Sequence, residues 1–287
     1  MSQLTCTDNV LESIKQRRTG GESLAKLAGE VGLTWQKLWT MLYPAPPTAR
    51  RPALKATGHG PLTEKYRPHS LQCLWGQEKA VKLLRKFAGS PYPTAMLFEG
   101  ATGTGKTSAA LALAAELGCN LKQKEFGGVH VIASGEQSAE SVRETTRLMW
   151  NTPFYGSGWK VVVVNEADRM HLAAETVWLD RLEALPARTV VVFTTNFADK
   201  LSPRFRDRCT RLRFESDAKK LRADAEAFAA AVWKAETGRK ADAGVIRRIA
   251  DAASVDGELS FRRVMQELTV ALGDLPAEAS AKAGGDT

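Results

Sequence analysis

Four short, continuous apolar runs recur through the middle of the chain, each bounded by polar or glycine-rich segments. They are Thr94 to Phe98, Val129 to Ala133, Lys160 to Val164 and Thr189 to Thr194. Such runs are too short for amphipathic helices and too continuous for half-exposed strands, so they predict buried parallel strands. A helical stretch or a loop follows each run, as in a doubly wound sheet with helical crossovers. The pattern predicts an α/β domain.

The sequence from Asp217 onward has a helical pattern instead of short apolar runs. Three helices are predicted, at Asp217 to Ala235, Ala241 to Ala253 and Ser260 to Leu272. They indicate a small three-helix domain at residues 216–272, after an α/β domain at residues 62–215. Residues 273–287 are rich in alanine and glycine, and we expect them to form a disordered tail.

A separate helical unit precedes the α/β domain. Apolar residues recur at helical spacing from Glu22 to Leu42, and Gly32 interrupts them at the place of a tight turn. This pattern resembles a helix-turn-helix unit over residues 1–43, with Thr34 as the cap of the second helix. The outward positions that would contact DNA are Trp35, Gln36, Lys37 and Thr40. A small hairpin that docks on another protein has the same pattern and is the alternative.

The distribution of charged residues indicates what kind of partner the chain binds. Residues 44–61 are rich in proline and glycine and carry three basic residues and no acidic one, which is typical of a basic linker. The chain of 287 residues has a formal net charge of +8, and residues 1–61 hold eight lysines and arginines against four acids. A basic balance favours a polyanionic partner such as DNA, although some soluble enzymes are simply basic.

Three classes of protein are not expected from this composition. No apolar run approaches the roughly 18 residues of a membrane-spanning helix, and the first residues lack the apolar core of a secretory signal. The cysteines at positions 6, 73, 119 and 209 do not pair at the spacing of a zinc site. Their number and spacing suit reduced thiols in a cytoplasm, where we expect the protein to act.

A glycine-rich segment follows the first apolar run and matches a complete phosphate-binding motif. Its sequence is GATGTGKT, and a helical stretch from Ser108 to Leu117 follows it. A strand, this motif and a helix in that order hold the phosphates of a nucleotide with backbone N–H groups. Lys106 is expected to reach the β- and γ-phosphates of ATP, and the Thr107 hydroxyl to bind Mg²⁺. The predicted nucleotide-binding set is Gly100, Ala101, Thr102, Gly103, Thr104, Gly105, Lys106, Thr107 and Ser108.

Polar residues follow the valines of the third apolar run, at the strand end where α/β sheets bind ligands. Glu166 is the candidate to activate the attacking water. Asn165 stands where many ATPases with this motif have aspartate, and it can still hydrogen-bond a water on Mg²⁺. Because Mg²⁺ prefers carboxylate and phosphate oxygens, we expect weaker Mg²⁺ binding, slower hydrolysis, or both. Asp168 is a nearby carboxylate that would compensate in part.

The order of these motifs resembles the clamp-loader subunits of the AAA+ family, among them the replication factor C small subunits and the bacterial DnaX-type loader. The resemblance begins with LTEKYRPHSLQCL and WGQE, from Leu62 to Glu78. It continues through the phosphate-binding motif, NEAD, VFTTN at Val192 to Asn196 and DRC at Asp207 to Cys209, and it covers about residues 62–272. It implies a P-loop AAA+ core with a parallel sheet, a helical lid that closes on ATP and Mg²⁺, and ATP hydrolysis.

The resemblance also implies roles for single residues. Asn196 would contact the γ-phosphate or the attacking water, and Arg208 would be an arginine finger that reaches the ATP of a neighbouring subunit. The family has serine where this chain has Asp207, which would alter how the finger is held. The base pocket would be lined by Tyr66, Arg67 and Pro68.

The second sensor of the family corresponds to the segment from Ser260 to Gln266. We align Arg262 with the sensor arginine, and Arg263 is a near competitor. An ungapped alignment from Gly257 places Ser260 at that position instead.

The function that this resemblance implies is a DNA-acting ATPase that assembles with copies of itself or with related AAA+ subunits. A sliding clamp, a helicase or a recombinase would be its partner, and no membrane is expected. Clamp loaders continue past the lid with a long helical collar, and residues 273–287 cannot supply one, so we expect the core without the collar. One alternative is a DNA-binding, ATP-dependent switch or recruitment module with little hydrolysis, which Asn165 favours. Another is an ATPase that helps a helicase or a transposase.

Overall fold

The computed structural model describes residues 8–19, 22, 24–42, 54, 56, 60–123, 126–133 and 138–273. The predicted tail lies outside these residues except at its first position, and so does most of the predicted linker. Among the described residues, no helix has the length and apolar character needed to cross a bilayer.

Five parallel strands form the sheet of the α/β core. They are β1 (Thr94–Glu99), β2 (Val129–Ile132), β3 (Lys160–Val164), β4 (Thr189–Thr195) and β5 (Thr210–Arg213). Their order across the sheet is β2-β3-β4-β1-β5, so β4 lies between β1 and β3. The first four strands confirm the apolar runs. The fifth strand was not predicted, because it buries only Leu212 among its four residues.

Helices cover both faces of the sheet, as the predicted fold class requires. The core contains α5 (Glu78–Gly89), α6 (Lys106–Glu116), α7 (Ala139–Leu148), α8 (Leu172–Leu182) and α9 (Pro203–Asp207). Alternate residues of β4 enter opposite layers: Val190 and Val192 pack with α5 and α6, whereas Val191 and Phe193 pack with α8 and α9. Because side chains alternate across a strand, continuous apolar runs are what a sheet covered on both faces needs.

The helical lid follows β5 and contains α10 (Ala218–Thr237), α11 (Ala243–Ala252) and α12 (Phe261–Gly273). The three predicted helices are confirmed. A two-stranded hairpin, β6 (Ser254–Val255) with β7 (Glu258–Leu259), joins the last two helices and was not predicted. The Gln77 side chain ties the core to the start of the lid, because its amide donates to the Glu215 carbonyl at 2.9 Å and accepts from the Glu215 N–H at 2.8 Å.

The amino-terminal unit contains three helices, α1 (Asp8–Thr19), α2 (Leu24–Glu30) and α3 (Trp35–Leu42). Its small core joins Ile14 of α1 to Leu27 and Leu38. The predicted cap is present, since Thr34 Oγ1 accepts from the Lys37 N–H at 3.3 Å. The first helix was not predicted, because its sequence is mostly polar. A fourth short helix, α4 (Leu62–Lys65), opens the α/β core.

Candidate nucleotide-binding site

The order of the strands brings three polar loops together at one edge of the sheet. The phosphate loop (Gly100–Thr107) follows β1, Asn165 and Glu166 follow β3, and Asn196 follows β4. Because all strands are parallel and β4 is central among these three, Asn196 lies between the other two loops. The residues that the sequence singled out therefore meet at the carboxyl ends of the strands, where such sheets bind ligands.

Lys106 is buried in the phosphate loop, with 8% of its surface exposed. Its ammonium donates to the carbonyl oxygens of Gly100 at 2.7 Å and Ala101 at 2.8 Å, and to Asn196 Oδ1 at 2.9 Å. Burial lowers the pKa of this ammonium to about 8, whereas the Asp168 carboxylate acts in the opposite direction. At neutral pH most of the lysine is still charged, as binding of phosphate oxygens requires.

Thr107 and Asn165 face each other across the strand ends of β1 and β3. The Thr107 hydroxyl donates to Asn165 Oδ1 at 2.8 Å, and the Thr194 hydroxyl is 3.4 Å from the same oxygen. Backbone pairing fixes Asn165, whose N–H donates to the Ile132 carbonyl at 3.0 Å. Two side-chain oxygens that could serve as ligands of Mg²⁺ are thus adjacent at the start of α6, although neither carries the charge that Mg²⁺ prefers.

Glu166 has a left-handed backbone conformation, with φ of 52°. This conformation is costly for a residue other than glycine, and such residues are concentrated at functional sites. The Glu166 N–H is 3.3 Å from the Thr194 hydroxyl, and its carboxylate is 3.2 Å from Arg169 Nε. The side chain is 45% exposed, so water reaches it.

Asp168 has a different environment from the one that its sequence position suggested. Its Oδ1 accepts hydrogen bonds from the Thr195 hydroxyl at 2.7 Å and the Asn196 N–H at 3.2 Å. This oxygen therefore binds the end of β4, whereas the Thr107 hydroxyl is bound by Asn165. The expectation that Asp168 compensates for Asn165 has no support from these contacts.

The lid touches the phosphate loop through the start of α12. The Phe261 N–H donates to the Gly103 carbonyl at 3.1 Å. A Cβ on Gly103 would lie 2.0 Å from Ser260 Oγ and 3.0 Å from Arg262 Cβ, so the approach requires glycine. Of the two arginines aligned with the second sensor, Arg262 lines the cleft of the phosphate loop. Arg263 lines a neighbouring cleft, which opens between β5 and the β6–β7 hairpin.

A cleft of about 560 Å³ extends from the phosphate loop to the junction of core and lid. Tyr66, Arg67 and Pro68, which the sequence predicts to line the base pocket, are among the residues that line this cleft. The Tyr66 phenol donates to the Glu236 carboxylate, and burial, with this hydrogen bond, raises the pKa of the phenol above its ordinary value. Arg67 Nε donates to Glu64 at 2.8 Å.

Sequence reasoning missed the apolar walls of this cleft. They are formed by Trp75, Phe228, Phe261 and Met265. Trp75 and Phe261 each contact the ring of Phe228, with ring centroids 5.5 and 5.7 Å apart. Three of the four belong to the lid and appear in sequence as ordinary core positions of helices, because only tertiary packing turns them towards the cleft.

Comparison with known proteins finds relatives of the core among replication proteins. Residues 76–218 match the family described as DNA polymerase III, delta subunit. Replication factor C subunit 3 of Saccharomyces cerevisiae is 34% identical over 157 residues, which are 54% of this chain and 45% of the yeast protein. The replication factor C small subunit of Thermoplasma volcanium is 31% identical over 156 residues, or 53% of this chain and 48% of that protein. The chain thus spans about half the length of the curated relatives it matches.

Solved structures give the same fold. A variant of Thermotoga maritima RuvB superposes with a TM-score of 0.54 at 21% identity, covering 75% of this chain and 71% of that one. The FIGL-1 AAA domain in complex with ADP gives 0.51 at 21% identity, covering 70% of this chain and 72% of that one. This chain has an AAA+ core of the clamp-loader type. The predicted fold class and the resemblance of the core are both confirmed.

Within the clamp-loader-type core, Arg208 lies outside the cleft that holds Lys106. It is at the end of α9, and its guanidinium forms an ion pair with the exposed Glu183, which directly follows α8. The Arg208 side chain is 28% exposed, so a neighbouring molecule can reach it.

Of the candidate DNA contacts in the amino-terminal unit, Lys37 is exposed on α3. The side chains of Trp35, Gln36 and Thr40 lie outside the described part of the structure. The unit contacts the clamp-loader-type core through Arg18, whose guanidinium donates to the Glu116 carbonyl at 3.4 Å. That carbonyl is at the carboxyl end of α6, the helix that begins at the phosphate loop, and a cation is favourable there.

Proposed function

We propose that this clamp-loader-type AAA+ protein binds and hydrolyses ATP and acts on DNA in a replication- or repair-type assembly. The observation that carries the proposal is the convergence of Lys106, Thr107, Asn165 and Asn196 at the ends of three adjacent strands. A phosphate loop alone would support nucleotide binding. The side chains from β3 and β4 add the groups that hydrolysis needs around the γ-phosphate.

ATP would bind with its phosphates in the phosphate loop and its base towards Tyr66, Arg67 and Pro68. Lys106 would exchange its carbonyl partners for oxygens of the β- and γ-phosphates, and the dipole of α6 would favour the same anion. The side chain of Arg262 would reach the phosphates from the lid, so that binding of ATP closes lid on core.

Thr107 and Asn165 fit Mg²⁺ because their side-chain oxygens are 2.8 Å apart beside the place of the phosphates. When bound there, Mg²⁺ neutralises charge on the phosphate oxygens. Asn165 contributes an amide oxygen where a carboxylate would hold the ion more strongly, so the proposed hydrolysis is slow.

Hydrolysis would use groups from two subunits. Glu166 would accept the proton of the attacking water, and Asn196 would orient that water or the γ-phosphate. Arg208 of an adjoining subunit would leave Glu183 and stabilise the charge of the transition state, a contribution worth roughly 10³- to 10⁵-fold in related enzymes. The proposed protein is therefore an oligomer of this chain or a complex with related AAA+ subunits.

DNA is the proposed polyanion because of the net charge of +8 and the excess of basic over acidic residues in positions 1–61. On α7 of the core, Arg143 and Arg147 are both exposed and one turn apart, which suits contact with a phosphate backbone. A clamp, a helicase or a recombinase is the proposed protein partner.

The steady-state ATPase rate of the Asn165→Asp variant tests this proposal against an ATP-dependent switch. We expect slow turnover by the wild type that DNA increases, and a rate about tenfold higher in the variant, since a charged ligand holds Mg²⁺ more strongly. Asn151→Asp adds the same charge at an exposed turn and should leave the rate unchanged.

Three outcomes contradict parts of the proposal. Turnover that appears only in Asn165→Asp identifies a switch instead of an ATPase. Equal rates for wild type and Asn165→Asp refute the slow-hydrolysis argument. A rate that DNA does not alter refutes the role assigned to DNA.

A further inference from the structure

The end of β4 is held by a carboxylate that lies on a different loop. Asp168 belongs to the turn after β3, yet its Oδ1 accepts from both the Thr195 hydroxyl and the Asn196 N–H, at 2.7 and 3.2 Å. Thr195 is 1% exposed, and its hydroxyl in turn accepts from the Phe197 N–H at 3.0 Å. The Asp168 side chain thus fixes Thr195 and Asn196 directly, and it fixes Phe197 through the Thr195 hydroxyl.

These hydrogen bonds matter because β4 ends at Thr195. Past this point none of the described strands pairs with Asn196, and a buried backbone N–H without a partner would cost about as much as a lost hydrogen bond. Asp168 supplies that partner.

The orientation of the Asn196 side chain depends on this arrangement. Its Oδ1 accepts from Lys106 Nζ at 2.9 Å, and the lysine bonds to the phosphate loop. A continuous series of hydrogen bonds therefore runs from Asp168 through Asn196 to Lys106. Asp168 itself lines no part of the cleft that the proposed ATP occupies.

We propose that Asp168 is a positioning residue, which holds Asn196 at the angle needed to orient the γ-phosphate and the attacking water. The proposal rests on the proposed ATP hydrolysis. It assigns Asp168 a role distinct from that of Glu166 two residues earlier, whose carboxylate faces Arg169 and solvent.

The test is the kcat and KM for ATP of Asp168→Ala and Asp168→Asn, with DNA present. Asp168→Ala removes both hydrogen bonds, and we expect kcat to fall about 10- to 100-fold while KM changes less than about threefold, because Asn196 acts on the transition state. Asp168→Asn keeps an oxygen that accepts both bonds and should stay within about threefold of the wild type. Asp180→Ala, which removes an exposed aspartate on α8, is the matched control.

Each result decides the proposal. If the wild type turns over and Asp168→Ala has the same kcat, Asp168 has no positioning role, and the proposed function stands. If Asp168→Asn is as impaired as Asp168→Ala, the charge and not the position matters, which overturns the proposal. A wild type without turnover refutes the proposed function and, with it, this role.

A second variant keeps the proposal testable if Asp168→Ala does not fold. Thr195→Val preserves the shape of the side chain and removes one of the two donors to Asp168. We expect a smaller fall in kcat, about 3- to 10-fold, again with little change in KM. Thr195→Ser restores the hydroxyl and should restore kcat, and an unchanged kcat in Thr195→Val would refute the proposal.

Discussion

The ammonium of Lys106 is the charge on which the proposed nucleotide binding would depend most directly. It has three oxygen partners, two of them carbonyl groups of its own loop. A phosphate offers better acceptors than a carbonyl group, because the resulting hydrogen bonds join opposite charges. Exchange of these partners for phosphate oxygens therefore favours binding.

The variant Lys106→Met should bind ATP at least about 10- to 100-fold more weakly, since hydrogen bonds to charged groups contribute roughly 1.5–3 kcal/mol. Its melting temperature should not fall, because methionine fills a buried position well. Titration calorimetry with ATP measures the affinity. Lys122→Met, which changes an exposed lysine far from the loop in sequence, is the control, and equal affinity of the two variants would contradict the role of Lys106.

For single residues, the sequence identified candidate site residues more readily than the residues that they contact. The phosphate loop is a contiguous motif, so its residues can be assigned directly. The partners are distant along the chain: 90 positions separate Lys106 from Asn196, and 58 separate Thr107 from Asn165. Such pairs depend on strand order, which local pattern does not determine.

The secondary-structure elements show where pattern succeeds and where it fails. Fully buried strands such as β3, a run of valines, are predicted because both faces of the sheet are covered. The edge strand β5 and the short hairpin β6–β7 bury too few side chains to produce a pattern. The sequence likewise does not predict the hydrogen bond between α12 and the phosphate loop, although the glycine at position 103 makes it possible.

The variant Gly103→Ala should separate α12 from the phosphate loop. A Cβ at this position would meet Ser260 Oγ at 2.0 Å. We expect faster hydrogen exchange of the Phe261 amide, measured by NMR, and slower exchange again in the double variant with Ser260→Ala. Gly257→Ala is a close control, because Gly257 has φ of +78° against +79° for Gly103 and its Cβ would meet nothing within 4 Å. Unchanged exchange in Gly103→Ala would refute the contact.

At the scale of the whole molecule, the proposed ATP site would be complete only when subunits meet. Gln77 and Glu215 hold the lid next to its own core through two hydrogen bonds. Arg208 is not among the residues that line that core-lid cleft, and it pairs with Glu183 on the surface. In the proposed arrangement, one subunit would supply the phosphate loop, Glu166 and the lid, and Arg208 would act on the site of a neighbour.

The ATPase rate of mixed subunits tests this account most directly. Wild type, Glu166→Gln, Arg208→Ala and an equal mixture of the two variants are assayed with DNA. Each variant alone should lose at least about 100-fold in rate, because one lacks the base and the other the finger. In the mixture, about a quarter of the sites should combine an intact Glu166 with an intact Arg208 from the next subunit, so the rate should recover to about a quarter of the wild type. A mixture that stays as slow as its components, although the wild type turns over, would contradict a site shared between subunits.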